Sequence, residues 1–232
     1  MMIHSFLLIG QSNMAGRGFF DEAIEVDSSR ISVLRNGRWM PMYRPVNNDR
    51  SFSGVNLAEK FAELYAKKYN VMVGLIPCAD GGTRLDQWEP GSLLFDHAVF
   101  QAKLAQRSST SAGVLWHQGE HDAFEGNTGE NYHFQFTMLI NSLRERYNIP
   151  NLPFICGSFV SDWRKKNEEI CAPILAALQQ AAQDMQGEYV DASDLLSNNE
   201  KNGDGDDIHF CRESLHILGR RYFQSYIKWH LP

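Results

Sequence analysis

The sequence predicts an α/β protein, a three-layer α/β/α sandwich around a five-stranded parallel sheet. Two patterns predict it. Short apolar runs, each ended by Gly, Asp, Ser or Gln, recur along the 232 residues, and segments with helical apolar spacing separate them. Runs with no polar face suit strands covered by helices on both sides. A hydrophobic content of 43% can fill a large core, and no internal repeat or low-complexity tract divides the chain. We therefore expect a single domain over 1–232.

The first strand is IHSFLLIG (3–10), and the polar residues QSN (11–13) after it start a helix whose amino end favours negative charge. Between Arg17 and Gly54 the alternation breaks. There ISVLRNGRWMPM places Asn36-Gly37 between residues of β character, as in a two-residue hairpin, which reads as a surface insertion over about 17–54. Helical spacing over 57–69 leads to the strand VMVGLIPCA (71–79), and that over 93–105 to AGVLWHQ (112–118). A helix over 132–147 precedes LPFICGSF (152–159), one over 170–185 precedes the weaker GEYVDAS (187–193), and a last covers 215–229. The polar tract SNNEKNGDGDD (197–207) is the candidate for a mobile loop.

A net charge of −6 without a cluster of Lys and Arg argues against a nucleic-acid partner. No apolar stretch has the length to cross a bilayer, and MMIHSFLLIG lacks a basic region followed by a separate apolar segment and cleavage site. The four cysteines form no C-x-x-C pair and no N-x-[ST] sequon occurs, so buried thiols in a cytoplasmic protein are expected. A small molecule or oligosaccharide is the expected partner.

Ligands of open parallel sheets collect at the carboxyl ends of the strands. Those ends carry Gln11-Ser12-Asn13, ADGGTRLDQW (79–88) and WHQGEHDA (116–123), and DGDDIHF (204–210) precedes the last helix. A serine hydroxyl attacks only when a base takes its proton, and His209 is the candidate base for Ser12. Asp206 is close enough in sequence to fix the imidazole tautomer, with Glu120 as the alternative acid. Attack on an ester creates an oxyanion, for which the backbone N–H of Ser12, that of Gly81 or Gly82, and the amide of Gln118 are candidate donors. Arg84 and Trp88 beside them suit sugar hydroxyls or a carboxylate and a sugar ring, and Asn13 is grouped with them as a substrate contact. Trp116, Tyr132, Phe134 and Phe136 are read as core. Taken singly, each feature has a plain structural reading: Ser12 as a helix cap, His209 and Asp206 as turn residues, the glycine pair as a bend.

No metal or cofactor is expected. His117, Glu120 and His121 fit H-x-x-E-H, but that pattern binds zinc from a helix, and here it follows a strand and contains Gly119. The stretch 198–209 has calcium-loop spacing, yet His209 stands where a bidentate glutamate is required.

The blocks GQSNMAG, PCADGGTRLDQW, WHQGE and DDIHF, in this order from Gly10 to Phe210, resemble the motifs of the SGNH hydrolase superfamily. They are most similar to its sialate O-acetylesterase and carbohydrate esterase family six branch. The resemblance implies a flavodoxin-like fold with Ser12 as nucleophile, His209 as base and Asp206 as its partner. It sets Gln118 where most of the superfamily has an oxyanion-hole asparagine, and Glu120 matches a glutamate that the branch keeps. The implied activity is metal-independent removal of acetyl groups from xylan or sialic acids through an acyl-enzyme. Another short-chain esterase or thioesterase of this fold, and a catalytically silent sugar-binding protein, are the rival expectations.

Overall fold

In the computed structural model, which describes residues 2–21 and 25–229, β1 (Ile3–Gly10) occupies the middle of the sheet. Residues 1, 22–24 and 230–232 of the expected domain and insertion lie outside the described residues. β4 (Met72–Pro77) and β5 (Thr110–His117) flank β1 in parallel, and β6 (Phe154–Gly157) and β7 (Glu188–Val190) continue the sheet in parallel beyond β5. These are the five predicted strands.

The hairpin departs from expectation. β2 (Ile31–Arg35) and β3 (Arg38–Pro41) turn at Asn36-Gly37, whose φ values of 49° and 72° suit a two-residue connection. Yet β2 pairs in parallel with β4, so the hairpin joins the main sheet as strands six and seven, in the order β3-β2-β4-β1-β5-β6-β7. The reason is burial. Ile31, Val33 and Leu34 are apolar and inaccessible, and β4 would otherwise leave a row of unpaired backbone groups at the edge.

Side chains of a strand alternate between faces, so Phe6 and Trp116 fall on opposite sides, because Trp116 is in register with Ile9. Phe6 packs edge-on against Phe61 and Tyr65 of α2 (Ala58–Tyr69) and Tyr226 of α9 (Arg212–Trp229). Trp116 meets Trp88 and Phe136, the latter from α5 (Gly129–Tyr147), which packs on α7 (Glu168–Asp184) and α3 (Leu93–Gln106). Truncating such a fully buried ring costs about 3–5 kcal/mol.

The five long helices fall where the apolar spacing predicts them, and four short ones do not follow from it: α1 (Ser12–Ala15), α4 (Glu120–Phe124), α6 (Ser161–Lys166) and α8 (Asn198–Asn202). α8 occupies the tract expected to be a loop. Ser197 Oγ accepts the N–H of Glu200 at 2.9 Å while the Glu200 carboxylate accepts that of Ser197 at 3.0 Å, a reciprocal cap that lets polar residues hold a turn. Trp116, Tyr132 and Phe136 are fully buried as expected, but Phe134 is exposed on the outer face of α5. All four cysteines are buried and free. No helix among the described residues is long and apolar enough to cross a membrane.

Candidate active site

Three strand ends are stitched together beneath the site. Gln11 N–H donates to the His117 carbonyl at 2.9 Å, and Asp80 N–H to the Gly10 carbonyl at 3.0 Å. Gly10 permits this convergence: its φ is 126°, and a Cβ there would lie 2.2 Å from the His117 oxygen. Directly after it, Ser12 opens α1. The helix has four residues, so local amides rather than a long aligned dipole act on charge here.

His209 reaches Ser12 from near the other end of the chain. Its Nε2 lies 2.8 Å from Ser12 Oγ, and its Nδ1 lies 2.9 and 3.0 Å from the two carboxylate oxygens of Asp206. Asp206 also accepts the His209 N–H at 3.2 Å and Asn198 Nδ2 at 3.0 Å, which anchors it to α8. Burial pushes the Asp206 carboxyl up. The bond and charge of His209, with the bond from Asn198, outweigh burial and hold it below the usual carboxylate range. An ionised Asp206 accepts only, so Nδ1 carries the proton and Nε2 presents its lone pair to Ser12.

Glu120 makes no hydrogen bond to His209. It is fully buried and its Oε1 accepts Asn13 Nδ2 at 2.6 Å, with Oε2 left unbonded. Burial raises its pKa despite that bond. Asn13 in turn is inaccessible and no substrate contact: Nδ2 also donates to the Ile208 carbonyl at 3.1 Å, and Oδ1 accepts the Phe210 N–H at 3.2 Å. Glu120 and Asn13 thus brace the two neighbours of His209 against α1.

The oxyanion donors also need correction. Gly81 is spoken for, because its N–H donates to Asp49 Oδ2 at 2.9 Å. The Gln118 amide is turned away and satisfied by the Thr83 carbonyl at 2.9 Å and the Asp122 carboxylate, while its oxygen accepts Tyr132 Oη–H at 2.8 Å. Ser12 and Gly82 remain: their backbone N–H groups have no acceptor among the described residues, and both residues line the cavity. A Cβ on Gly81 would fall 3.6 Å from Ser12 Cβ and 2.5 Å from Arg17 Nη2, so Gly81 passes close to the nucleophile.

Ser12 and His209 open into a cavity of about 500 Å³, within the ordinary range for small-ligand sites. Beside Gly81, Gly82, Glu120 and His121, its walls include residues that the sequence did not single out: Arg17, Arg50 and Phe52, Phe124 at the end of α4, and Trp163 of α6. Asp49 organises one wall. It binds Arg17 in bidentate fashion at 2.7 and 3.2 Å, accepts Ser53 Oγ at 2.7 Å, and takes the Gly81 N–H. Burial raises the Asp49 carboxyl, and these bonds more than reverse it, so its pKa lies below the usual value.

Arg84 and Trp88 lie elsewhere. Arg84 pairs with Asp86 on the surface at 2.8 Å, and Trp88 is fully buried, its Nε1 donating to Thr83 Oγ1 at 3.1 Å. Arg84 precedes and caps a 3₁₀ turn (Leu85–Trp88) that Trp88 ends, and neither residue lines the cavity. His117 ends β5 and is enclosed beside Tyr222, whereas His121 lies in α4, so the H-x-x-E-H residues share no helix face. Among the described residues no three His, Cys, Asp or Glu side chains gather as a metal site.

The family model for carbohydrate esterases described as sialic acid-specific acetylesterase matches residues 2–228. The chain belongs to this family. Membership sets it among the carboxylic ester hydrolases, as its motifs predict. A protein of Arabidopsis thaliana described as "Probable carbohydrate esterase" is 31% identical over 172 residues, covering 65% of this chain and 66% of that protein, just under two thirds of its length. Its solved structure has a TM-score of 0.80 at 26% identity, over 97% of this chain and 98% of its own. NanS superposes with a TM-score of 0.78 at 15% identity over 99% and 98% of the two chains. A carbohydrate acetylesterase from Xanthomonas citri gives 0.69 at 16% identity over 96% of this chain and 55% of its own. The fold shared with these proteins is the α/β/α sandwich of SGNH-type esterases.

Within this carbohydrate esterase fold the missed wall residues other than Arg17 come from segments with no readable period. NNDRSFSG (47–54) has no periodic pattern, and α4 and α6 are too short to show one. The available signal was an Arg and a Phe inside a polar loop following a hairpin.

Proposed function

We propose that this chain removes O-acetyl groups from a carbohydrate through an acyl-serine intermediate. One observation carries the reading: the unbroken line from Asp206 through His209 to Ser12 Oγ, at 2.9 and 2.8 Å, opening on the cavity. Ser12 Oγ attacks the acetyl carbonyl as His209 Nε2 takes its proton, and Asp206 stabilises the imidazolium that forms. The Ser12 and Gly82 N–H groups receive the developing oxyanion, each worth about 10² to 10³ in turnover. The sugar oxygen leaves with the proton from Nε2. Water then enters by the same base-assisted step, and acetate departs.

The test is acetate release from p-nitrophenyl acetate and from acetylated sugars, with Ser12→Ala as control and stoichiometric labelling of Ser12 by an organophosphonate. Wild-type rates in Ser12→Ala would refute the acyl-serine route, and absence of labelling would favour a silent sugar-binding protein.

A further inference from the structure

We infer that the sugar taken by this site is neutral, so that acetylated sugars bearing a carboxylate are poor substrates; this deepens the proposed deacetylation and rests on it. The family's description names sialic acid, an acidic sugar, so the charges of the cavity decide the matter.

Two guanidinium groups reach the cavity, and each is already matched to a carboxylate. Arg17 is buried, bidentate on Asp49, bonded through Nη1 to the Gly16 carbonyl at 2.7 Å, and set over the Phe52 ring at 5.2 Å. Arg50 gives Nη1 to Asp80 at 2.7 Å and to the Asp49 carbonyl at 2.8 Å, and Nη2 to the Gly81 carbonyl at 2.8 Å. An imidazolium at His209 is balanced by Asp206. Asp207 lines the cavity as a further carboxylate, and its partner Lys166, at 3.1 Å, is shared with Asp162.

His121 also lines the cavity and has the Glu125 carboxylate 3.7 Å away, so a sugar carboxylate entering here gives up water and finds, among the described lining residues, no cation lacking a counter-charge. It also meets the negative charge of Asp207. A neutral pyranose finds better partners. Phe52 and Phe124 keep 67% and 74% of their surface exposed and offer apolar faces to the C–H side of a ring. The Asp207 carboxylate accepts from sugar hydroxyls, a contact that carries no penalty for a neutral ligand.

Measuring kcat/KM for acetate release tests this with four substrates: p-nitrophenyl acetate, an O-acetylated methyl xyloside, an O-acetyl sialic acid, and the carboxamide of that same sialic acid. The xyloside is expected to exceed the free acid by about tenfold, and the carboxamide to exceed it by about fivefold or more. A free acid turned over as fast as its carboxamide would overturn the inference. Turnover of p-nitrophenyl acetate with none of the sugars would overturn it while leaving the serine chemistry intact, and failure of all four would overturn the esterase reading too. In a second arm, Asp80→Asn releases the charge of Arg50. The acid-to-xyloside ratio is expected to rise about fivefold. An unchanged ratio would count against neutralisation by Asp80.

Discussion

The Asp49 carboxylate accepts the backbone N–H of Gly81 at 2.9 Å, and through this bond the segment after the hairpin holds the loop in which Gly82 lines the cavity. Asp49 is also the counter-charge of a buried guanidinium, that of Arg17. Asp49→Asn is therefore expected to destabilise the fold by about 3–5 kcal/mol, since it leaves a buried cation unpaired. At temperatures where the variant is folded, kcat should fall more than KM rises, because the displaced donor acts on the oxyanion. Thermal unfolding and steady-state kinetics check this, and an unaltered kcat would separate Asp49 from the donor loop.

Asp206→Asn should lower turnover by about 10⁴, since an amide that donates to Nδ1 reverses the tautomer and aims a proton at Ser12. Glu120→Gln should lose no more than about tenfold, because glutamine keeps an oxygen for Asn13 Nδ2. Kinetics of the two variants on one ester decide the assignment. Collapse of Glu120→Gln with a mild Asp206→Asn would exchange the roles.

Gln118→Ala should register first as lost stability. The side chain is inaccessible and ties the Thr83 carbonyl, Asp122 and Tyr132 together, so truncation leaves partners unsatisfied at about 1–3 kcal/mol each. A folded variant with an unchanged melting temperature and kcat down by 10² or more would restore Gln118 to the oxyanion hole.

His117 gives the fold an acid limb. Burial lowers its pKa from 6.5 to about 3, so between those values the unfolded chain binds a proton that the folded chain refuses. Stability from this residue is complete above about 6.5 and declines as pH falls toward 3, by up to about 1.4 kcal/mol per pH unit. Denaturant midpoints measured across this window should show a shallower slope for His117→Gln than for wild type. Equal slopes would assign the acid limb to other groups.

The central architecture was legible because burial writes itself into sequence. Phe6 to Ile9 and Val114 to Trp116 are apolar on both faces, and the long helices carry apolar residues at helical spacing. Ser12, His209 and Asp206 stood out as candidates for another reason: their chemistry needs those residue types, one after the first strand and two close together in the loop before the last helix. What failed was orientation. Gln118 and Asn13 have the right groups, but hydrogen bonding inside the fold consumes them. Arg84 and Trp88 sit on a turn whose direction no periodicity reveals. Asn36-Gly37 marks the hairpin in the sequence, but its pairing with β4 depends on a backbone edge that carries no residue signature.

The separation of 197 positions between Ser12 and His209 also orders the birth of the enzyme in time. Ser12 is made that far before His209, so in a growing chain its hydroxyl has no base beside it until the imidazole has emerged and folded against α1. Activation of the serine therefore waits on the long-range packing that joins α1 to the segment before α9.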